Sequence, residues 1–212
     1  MKNFFILAVS ILFPLFLHAQ SFKVKGSGFQ NFIFNDKING NQIQFSSSTP
    51  LEDIHGTASN ISGSVSFDQN NFEKTLKGKL LVPVKSINTG IELRNKHLQS
   101  TSWLNEPKFP LIVFEVKSVS SLKQIADNKL AFKVNGSFTM HGVTINLLAD
   151  AEAIYMNESE QTVKRGPGDL LGITANFSLK LSDFKVDNSL IGNKVAENIF
   201  LKILIVGSNK LQ

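Results

Sequence analysis

Beyond the N-terminal twenty residues the chain carries three histidines, His55, His97 and His141, the first groups to test for chemistry. A zinc site needs three or four ligands, commonly with two of them one helical turn apart, and no two of these histidines share a turn. A serine nucleophile would sit in a G-x-S-x-G elbow between a strand and a helix, and neither the motif nor the strand-helix alternation is present. Glu52 and Asp53 are adjacent carboxylates. In a strand they would point to opposite faces, so they read as a polar loop leading into a strand. There is no G-x-x-x-x-G-K-[ST] phosphate loop, and the basic residues stand singly, without the aromatic interleaving of a nucleic-acid platform. Cysteine is absent, which excludes thiolate catalysis, disulfides, zinc ribbons and an N-terminal lipid anchor on cysteine. The expectation is a protein that is not an enzyme, with no cofactor, no metal and no nucleic-acid partner.

Composition narrows the alternatives. The 212 residues are 42% hydrophobic and 18% charged, with a net charge of +5 and a mean hydropathy of +0.01. Such a chain can bury a core and is not a multispanning membrane protein. Eighteen phenylalanines against one tryptophan and one tyrosine suit a dry interior, because phenylalanine brings apolar area without a polar handle. Met1-Lys2-Asn3, the apolar run Phe4 to Leu17 and the ending His18-Ala19-Gln20 have the layout of a secretory signal peptide, with cleavage expected after Ala19. The run is short for a bilayer span, which takes roughly 20 apolar residues. Residues 20–212, with no composition shift or linker, read as one exported domain.

The dominant period of that domain is two. From Leu130 the apolar positions are even (Phe132, Val134, Phe138, Met140); from Val143 they are odd (Ile145, Leu147, Ala149, Ala151, Ala153, Tyr155). Alternation marks strands with one buried face. The parity switch falls on His141-Gly142, which a two-residue hairpin explains: Met140 and Val143 pair and point the same way. The register then sets Phe138 opposite Ile145, Val134 opposite Ala149, Phe132 opposite Ala151, and Lys133 opposite Asp150 on the outer face. Similar patterns run through Leu171 to Leu181, Ile112 to Val116, Leu80 to Val84, Ser64 to Phe67 and Ile199 to Val206, with shorter strands expected at Phe22 to Val24 and Ile43 to Phe45. Seven to nine strands joined by turn chemistry make a sandwich or a closed barrel.

Thr89-Gly90-Ile91-Glu92 has the spacing of a capping box and predicts a short helix running to Leu98, followed by an irregular stretch ending at Pro110. On the inward face Gly136, Ala149, Ala151 and Ala153 accompany Phe132 and Phe138. Small residues there serve either large-against-small packing in a filled core or a lumen for an apolar ligand; periodicity alone leaves both open.

Three stretches resemble the YceI-like family of exported bacterial proteins, the lipid- or polyisoprenoid-binding YceI-like domain. They are Ser86-Ile87-Asn88-Thr89 leading to Arg94-Asn95-Lys96-His97-Leu98; Ser102-Trp103-Leu104-Asn105 through Lys108-Phe109-Pro110-Leu111-Ile112-Val113-Phe114; and Gly136-Ser137-Phe138-Thr139-Met140-His141-Gly142-Val143-Thr144. The likeness extends from about Gly40 to the C-terminus. Asn95 stands where the family usually has Asp, and Trp103-Leu104-Asn105 replaces its Phe-Phe-Asp. The resemblance implies an all-β fold, an eight-stranded antiparallel lipocalin-like barrel with one short helix and a long loop near the mouth. It also implies a lumen holding a long apolar chain (isoprenoid, quinone-like or fatty amphiphile) for transport or storage, in the periplasm or outside the cell. The lumen positions expected to touch the ligand are Phe114, Phe132, Val134, Phe138, Ile145, Leu147, Ile173, Phe177 and Leu179. Those expected at the mouth are Ile91, Arg94, His97, Leu98 and Trp103. The resemblance is compatible with transient membrane contact and with a homodimer. Two other readings stay open at this point, an envelope interaction module with a filled core and a hydrolase at the barrel mouth.

Overall fold

In the computed structural model, which describes residues 20–35 and 40–210, ten antiparallel strands form one sheet. They are β1 (Phe29–Asn35), β2 (Gln42–Ser48), β3 (Asp53–Ala58), β4 (Ser62–Asp68), β5 (Lys77–Pro83), β6 (Leu111–Ala126), β7 (Lys129–Met140), β8 (Val143–Met156), β9 (Leu170–Lys180) and β10 (Asn198–Ser208). Two short helices interrupt them, α1 (Phe72–Thr75) and α2 (Glu92–Gln99). The predicted signal peptide lies outside the described residues.

Eight strands, in the order β1-β4-β5-β6-β7-β8-β9-β10, close into a barrel where Ile33 of β1 meets Ser208 of β10. The remaining two complete the wall at the other end. β2 pairs with the first half of β10, from Phe200 opposite Ser46 to Leu204 opposite Gln42, and β3 pairs with β2. Between the β2 and β1 segments of this seam, the buried Asn41 side chain takes the place of a strand: its Nδ2 donates to the Val206 carbonyl at 3.0 Å and its Oδ1 accepts from the Val206 amide at 2.7 Å. A second closure joins β3 to the segment after β5, through reciprocal amide-carbonyl bonds of 2.8 Å between Thr57 and Asn88. Eight strands thus close on themselves, while β3, paired with β2 along its length, meets the wall on its other side at Thr57.

The β7-β8 hairpin has the register that parity demands, with Met140 opposite Val143, Phe138 opposite Ile145, Val134 opposite Ala149 and Phe132 opposite Ala151. Lys133 and Asp150 form their outer-face ion pair at 2.8 Å. His141 and Gly142 both take positive φ, 52° and 75°, as a turn that follows the strand twist requires. Phe109 packs where a Cβ on Gly142 would lie, with its ring 5.2 Å from that of His141, and His141 Nδ1 lies 3.0 Å from the Phe184 carbonyl oxygen. The second and third motifs therefore meet, and His141 is a structural staple.

Three local expectations change. Residues Phe22 to Val24 form no strand; they belong to an irregular strap along one barrel end. The capping box does not form: α2 begins at Glu92, and Ile91 at its N-cap makes no side-chain bond. Asn95 clasps the preceding loop instead. Its Oδ1 accepts from the Thr89 amide and hydroxyl, both at 2.8 Å, and its Nδ2 donates to Asn88 Oδ1 at 2.9 Å. A carboxylate could make the first two bonds but not the third, which accounts for Asn at this position. Finally, α1 was not foreseen; it is a single turn that exists to bury Phe72.

Candidate functional site

The barrel has a dry end and an open end. At the dry end Phe22, Phe32, Phe67, Phe72, Phe132 and Tyr155 form one aromatic cluster with ring centroids 4.9–5.9 Å apart, mostly tilted or edge-to-face, the geometry that aromatic quadrupoles favour. Tyr155 supplies the cluster's one polar handle, donating from its hydroxyl to Asp169 Oδ2 at 2.7 Å. Burial first, then this bond and the nearby carboxylate charge, push its pKa well above the usual tyrosine range.

Above this floor lies a cavity of about 440 Å³, within the roughly 300–1,000 Å³ span of ligand pockets. Its walls explain why it is not filled. Ala149, Ala151 and Ala153 of β8 and Ala175 of β9 line it, and their short side chains leave the barrel axis vacant. Gly136 behaves differently: the Phe114 ring lies where its Cβ would be, so at that position large does pack against small. From Phe132 to Met140 the cavity follows nine residues of β7, whose eight steps at about 3.3 Å rise and a tilt near 40° make roughly 20 Å of barrel axis.

Of the lumen positions expected from sequence, Phe114, Phe132, Val134, Phe138, Ile173, Phe177 and Leu179 line this cavity. Ile145 and Leu147 do not. They face inward, but the turn Leu181–Phe184 packs against β8 and places the fully buried Phe184 edge-on to Phe138 at 5.5 Å. Phe184 thus packs on the inner side of the barrel beside Phe138, the cross-strand partner of Ile145.

All five expected mouth residues, Ile91, Arg94, His97, Leu98 and Trp103, line the opening. Four segments build it. α2 contributes no buried residue, and Ile91 and Leu93 stand 49% and 63% exposed. The helix is moored by its neighbours: Trp103 and Leu104 of the following loop are buried in the opening, and that loop is held by amide bonds from Leu104 to the Leu98 carbonyl at 3.1 Å and from Glu106 to Gln99 at 2.9 Å. Arg94 adds an ion pair and hydrogen bond to Glu52, just before β3. The segment after β9 brings Leu190, Lys194 and Val195 and is tied to the wall by the Ala196 amide donating to Ser47 Oγ at 2.8 Å. Of the charged and polar side chains around the cavity, Glu52, Arg94, His97 and Lys194 come from these mouth segments, and Ser47 comes from the end of β2 to which the last of them is tied.

Glu52 and Lys194 are the charged mouth residues that sequence reasoning missed. Asp53 beside Glu52 accepts from Ser48 Oγ, while Glu52 turns to the opening. His55 is exposed on β3 beside the lining residue Ile54. Among the described residues no cluster of three His, Cys, Asp or Glu side chains gathers that could hold a metal.

Closed antiparallel strands around an unfilled apolar lumen, sealed at one end and polar only at the other, define an internal-cavity β-barrel of lipocalin-like build. The chain belongs to the YceI-like family, whose domain model matches residues 36–206. It is 28% identical over 137 residues to Protein YceI of Salmonella arizonae, covering 65% of this chain and of that protein; the same figures hold for the Salmonella newport protein. This chain thus spans a little under two thirds of the length of the curated relatives it matches. Among solved structures it superimposes on Burkholderia cenocepacia BcnA with a TM-score of 0.61 at 16% identity, covering 78% of this chain and 95% of that one. It also superimposes on a polyisoprenoid binding domain from Saccharophagus degradans implicated in plant cell wall breakdown, with a TM-score of 0.62 at 11% identity and coverage of 85% and 99%. At these identities the likeness concerns the fold.

Proposed function

We propose that this protein is an exported, periplasmic or secreted carrier that takes a long apolar chain tail-first into its lumen and holds it without chemical change. The observation that carries this reading is the distribution of polarity in the cavity: apolar side chains through its depth, charged ones only from the mouth segments. A ligand matched to that surface has a long hydrocarbon part and at most one polar end. Each buried methylene contributes about 0.8 kcal/mol, so a chain of lumen length needs no strong polar contact to be retained. The polyisoprenoid binding domain of like fold supports an isoprenoid as one such ligand. Trp103, Leu98 and Ile91 would close over the chain, leaving Arg94, His97 and Lys194 beside its polar end. The apolar run at Phe4 to Leu17 supports export, with residues 20–212 as the mature domain.

The test is native mass spectrometry of the protein purified from its own envelope, followed by organic extraction and identification of what is released. A stoichiometric amphiphile set free on denaturation is the expected result. A clean apo mass with no uptake of added isoprenoids or fatty chains would overturn the carrier reading, and release of a cleaved product would point to a hydrolase at the mouth.

A further inference from the structure

We infer that the aromatic floor is a length ruler, with Phe72 as its stop and Phe22 of the N-terminal strap as its backing, so that this barrel selects chains by where their tail end meets Phe72. The inference rests on the carrier reading of the lumen and adds what sets its specificity.

Three observations carry it. First, the aromatic cluster divides cleanly at the cavity boundary. Phe72 and Phe132 line the cavity, whereas Phe22, Phe32, Phe67 and Tyr155 lie behind them. The tail of any chain entering from the mouth therefore runs into Phe72 and Phe132, whose rings touch each other at 5.1 Å. Second, Phe72 is placed there by a dedicated device. β4 and β5 could be joined by a tight turn; they are joined instead by a 3-10 turn and the single-turn helix α1, whose one buried residue is Phe72. Third, the ring behind it comes from outside the strands. Phe22 sits 5.6 Å from Phe72, edge-on, on a strap with no regular structure. The strap is held by the Lys23 amide donating to the Asp127 carbonyl at 2.7 Å, by Asn157 bonding both the amide and the carbonyl of Lys25, and by the Gln124 amide donating to Gln20 Oε1 at 2.9 Å. Removing Phe22 lets Phe72 retreat; removing Phe72 opens the floor directly. At the same depth Ala153, opposite Leu130 and Ile173, is the β8 alanine nearest the floor, and a larger side chain there raises it.

The experiment measures affinity across a ladder of unbranched fatty acids of increasing length, by displacement of a fluorescent fatty probe from the delipidated chain from Gln20 on. For the unaltered protein, affinity should climb about fourfold per added methylene and then break to a plateau or decline where the tail reaches the floor. Phe72→Ala should move the break to longer chains by a few carbons, Phe22→Ala should move it the same way by less, and Ala153→Leu should move it to shorter chains. Ala153→Leu adds atoms on the cavity side and leaves the aromatic cluster untouched, so the test stands on it if Phe72→Ala or Phe22→Ala fails to fold. A break that stays put in the folded variants, or a ladder without a break, overturns the ruler while leaving the carrier reading intact. No binding of any member by the unaltered protein, with isoprenoid alcohols failing as well, removes the carrier reading and the ruler with it.

Discussion

The chain's one tyrosine lies in the floor of the barrel and its one tryptophan in the mouth, and the two ends are built on opposite principles. The floor is six aromatic rings with a single polar atom, Tyr155 Oη, engaged by Asp169. The mouth is four short segments, none of them a barrel strand, held by loop amide bonds, an ion pair and two buried anchors, Trp103 and Leu104. Rings packed edge to face against barrel strands resist local opening, because any movement forfeits dispersion contacts on several sides. A helix with no buried residue opens at low cost. Stability is thus concentrated at one end and access at the other.

The largest effect expected from breaking this arrangement is on the floor. Phe67 is fully buried and contacts Phe22, Phe32 and Phe72. Phe67→Ala should lower the free energy of urea unfolding by about 3–5 kcal/mol, whereas Leu93→Ala at the mouth should leave the midpoint nearly unchanged. Equal losses from the two substitutions would contradict the division.

Next in size is the vacant middle. Ala151 lines the cavity opposite Phe132. Ala151→Phe should occupy space a ligand would use and cost roughly four methylenes of contact, about 3 kcal/mol or more than a hundredfold in affinity. Stability should hold. In a filled core the same change would overpack and destabilise by about 1–3 kcal/mol, so calorimetry of the folded variant separates the two cases.

Much of this plan was legible in the residues. The switch of apolar parity across His141-Gly142 gave the β7-β8 register pair by pair, because a side-chain period of two admits one answer when one face is buried. It also gave the inward face of β9 and the run of alanines. What parity cannot give is depth: it assigned Ile145 and Leu147 to the inward face, but which inward residues line the cavity depends on tertiary contacts such as that of the Leu181–Phe184 turn with β8. The strap at Phe22 to Val24 looked like a strand because three alternating residues do not distinguish a strand from an extended segment held by side chains. Asn41 and Glu52 act through partners 165 and 42 residues away, and Phe72 through a fold-level need for a floor. None of these leaves a local signature. The family motifs were legible as motifs, yet two of their roles, the Asn95 clasp and the His141-Phe109 contact, are structural and say little about ligand chemistry.

The floor's polar handle gives a smaller and pH-dependent effect. With its folded pKa raised above the unfolded value of about 10, Tyr155 contributes stability that is fully present below pH 10 and lost as pH rises beyond it, since the unfolded chain ionises first. Tyr155→Phe should cost about 1.5–3 kcal/mol at neutral pH, the worth of a hydrogen bond to a charged group, and should flatten the decline in stability above pH 10. As the sole tyrosine, its absorbance at alkaline pH reports the titration directly. Tyrosinate appearing near pH 10 in the folded protein would show that the floor is wetter than described.

The smallest expected effect on stability is at the mouth, and there stability and function part company. Arg94 and Glu52 are both part-exposed, and exposed pairs contribute about 0–1 kcal/mol. A double-mutant cycle of Arg94→Ala and Glu52→Ala should therefore give a coupling below about 1 kcal/mol in urea unfolding. The same pair links α2 to the segment before β3 across the opening, where a ligand must pass. Breaking it should speed release of a bound chain, read from the fluorescence of Trp103, while capture and equilibrium stability change little. If the single variants release ligand at the rate of the unaltered protein, the pair is ornamental and Trp103 and Leu104 alone keep the mouth shut. If release quickens in each single variant and no further in the double, the ion pair is the latch, and the end of the barrel that contributes least to folding sets the residence time of its cargo.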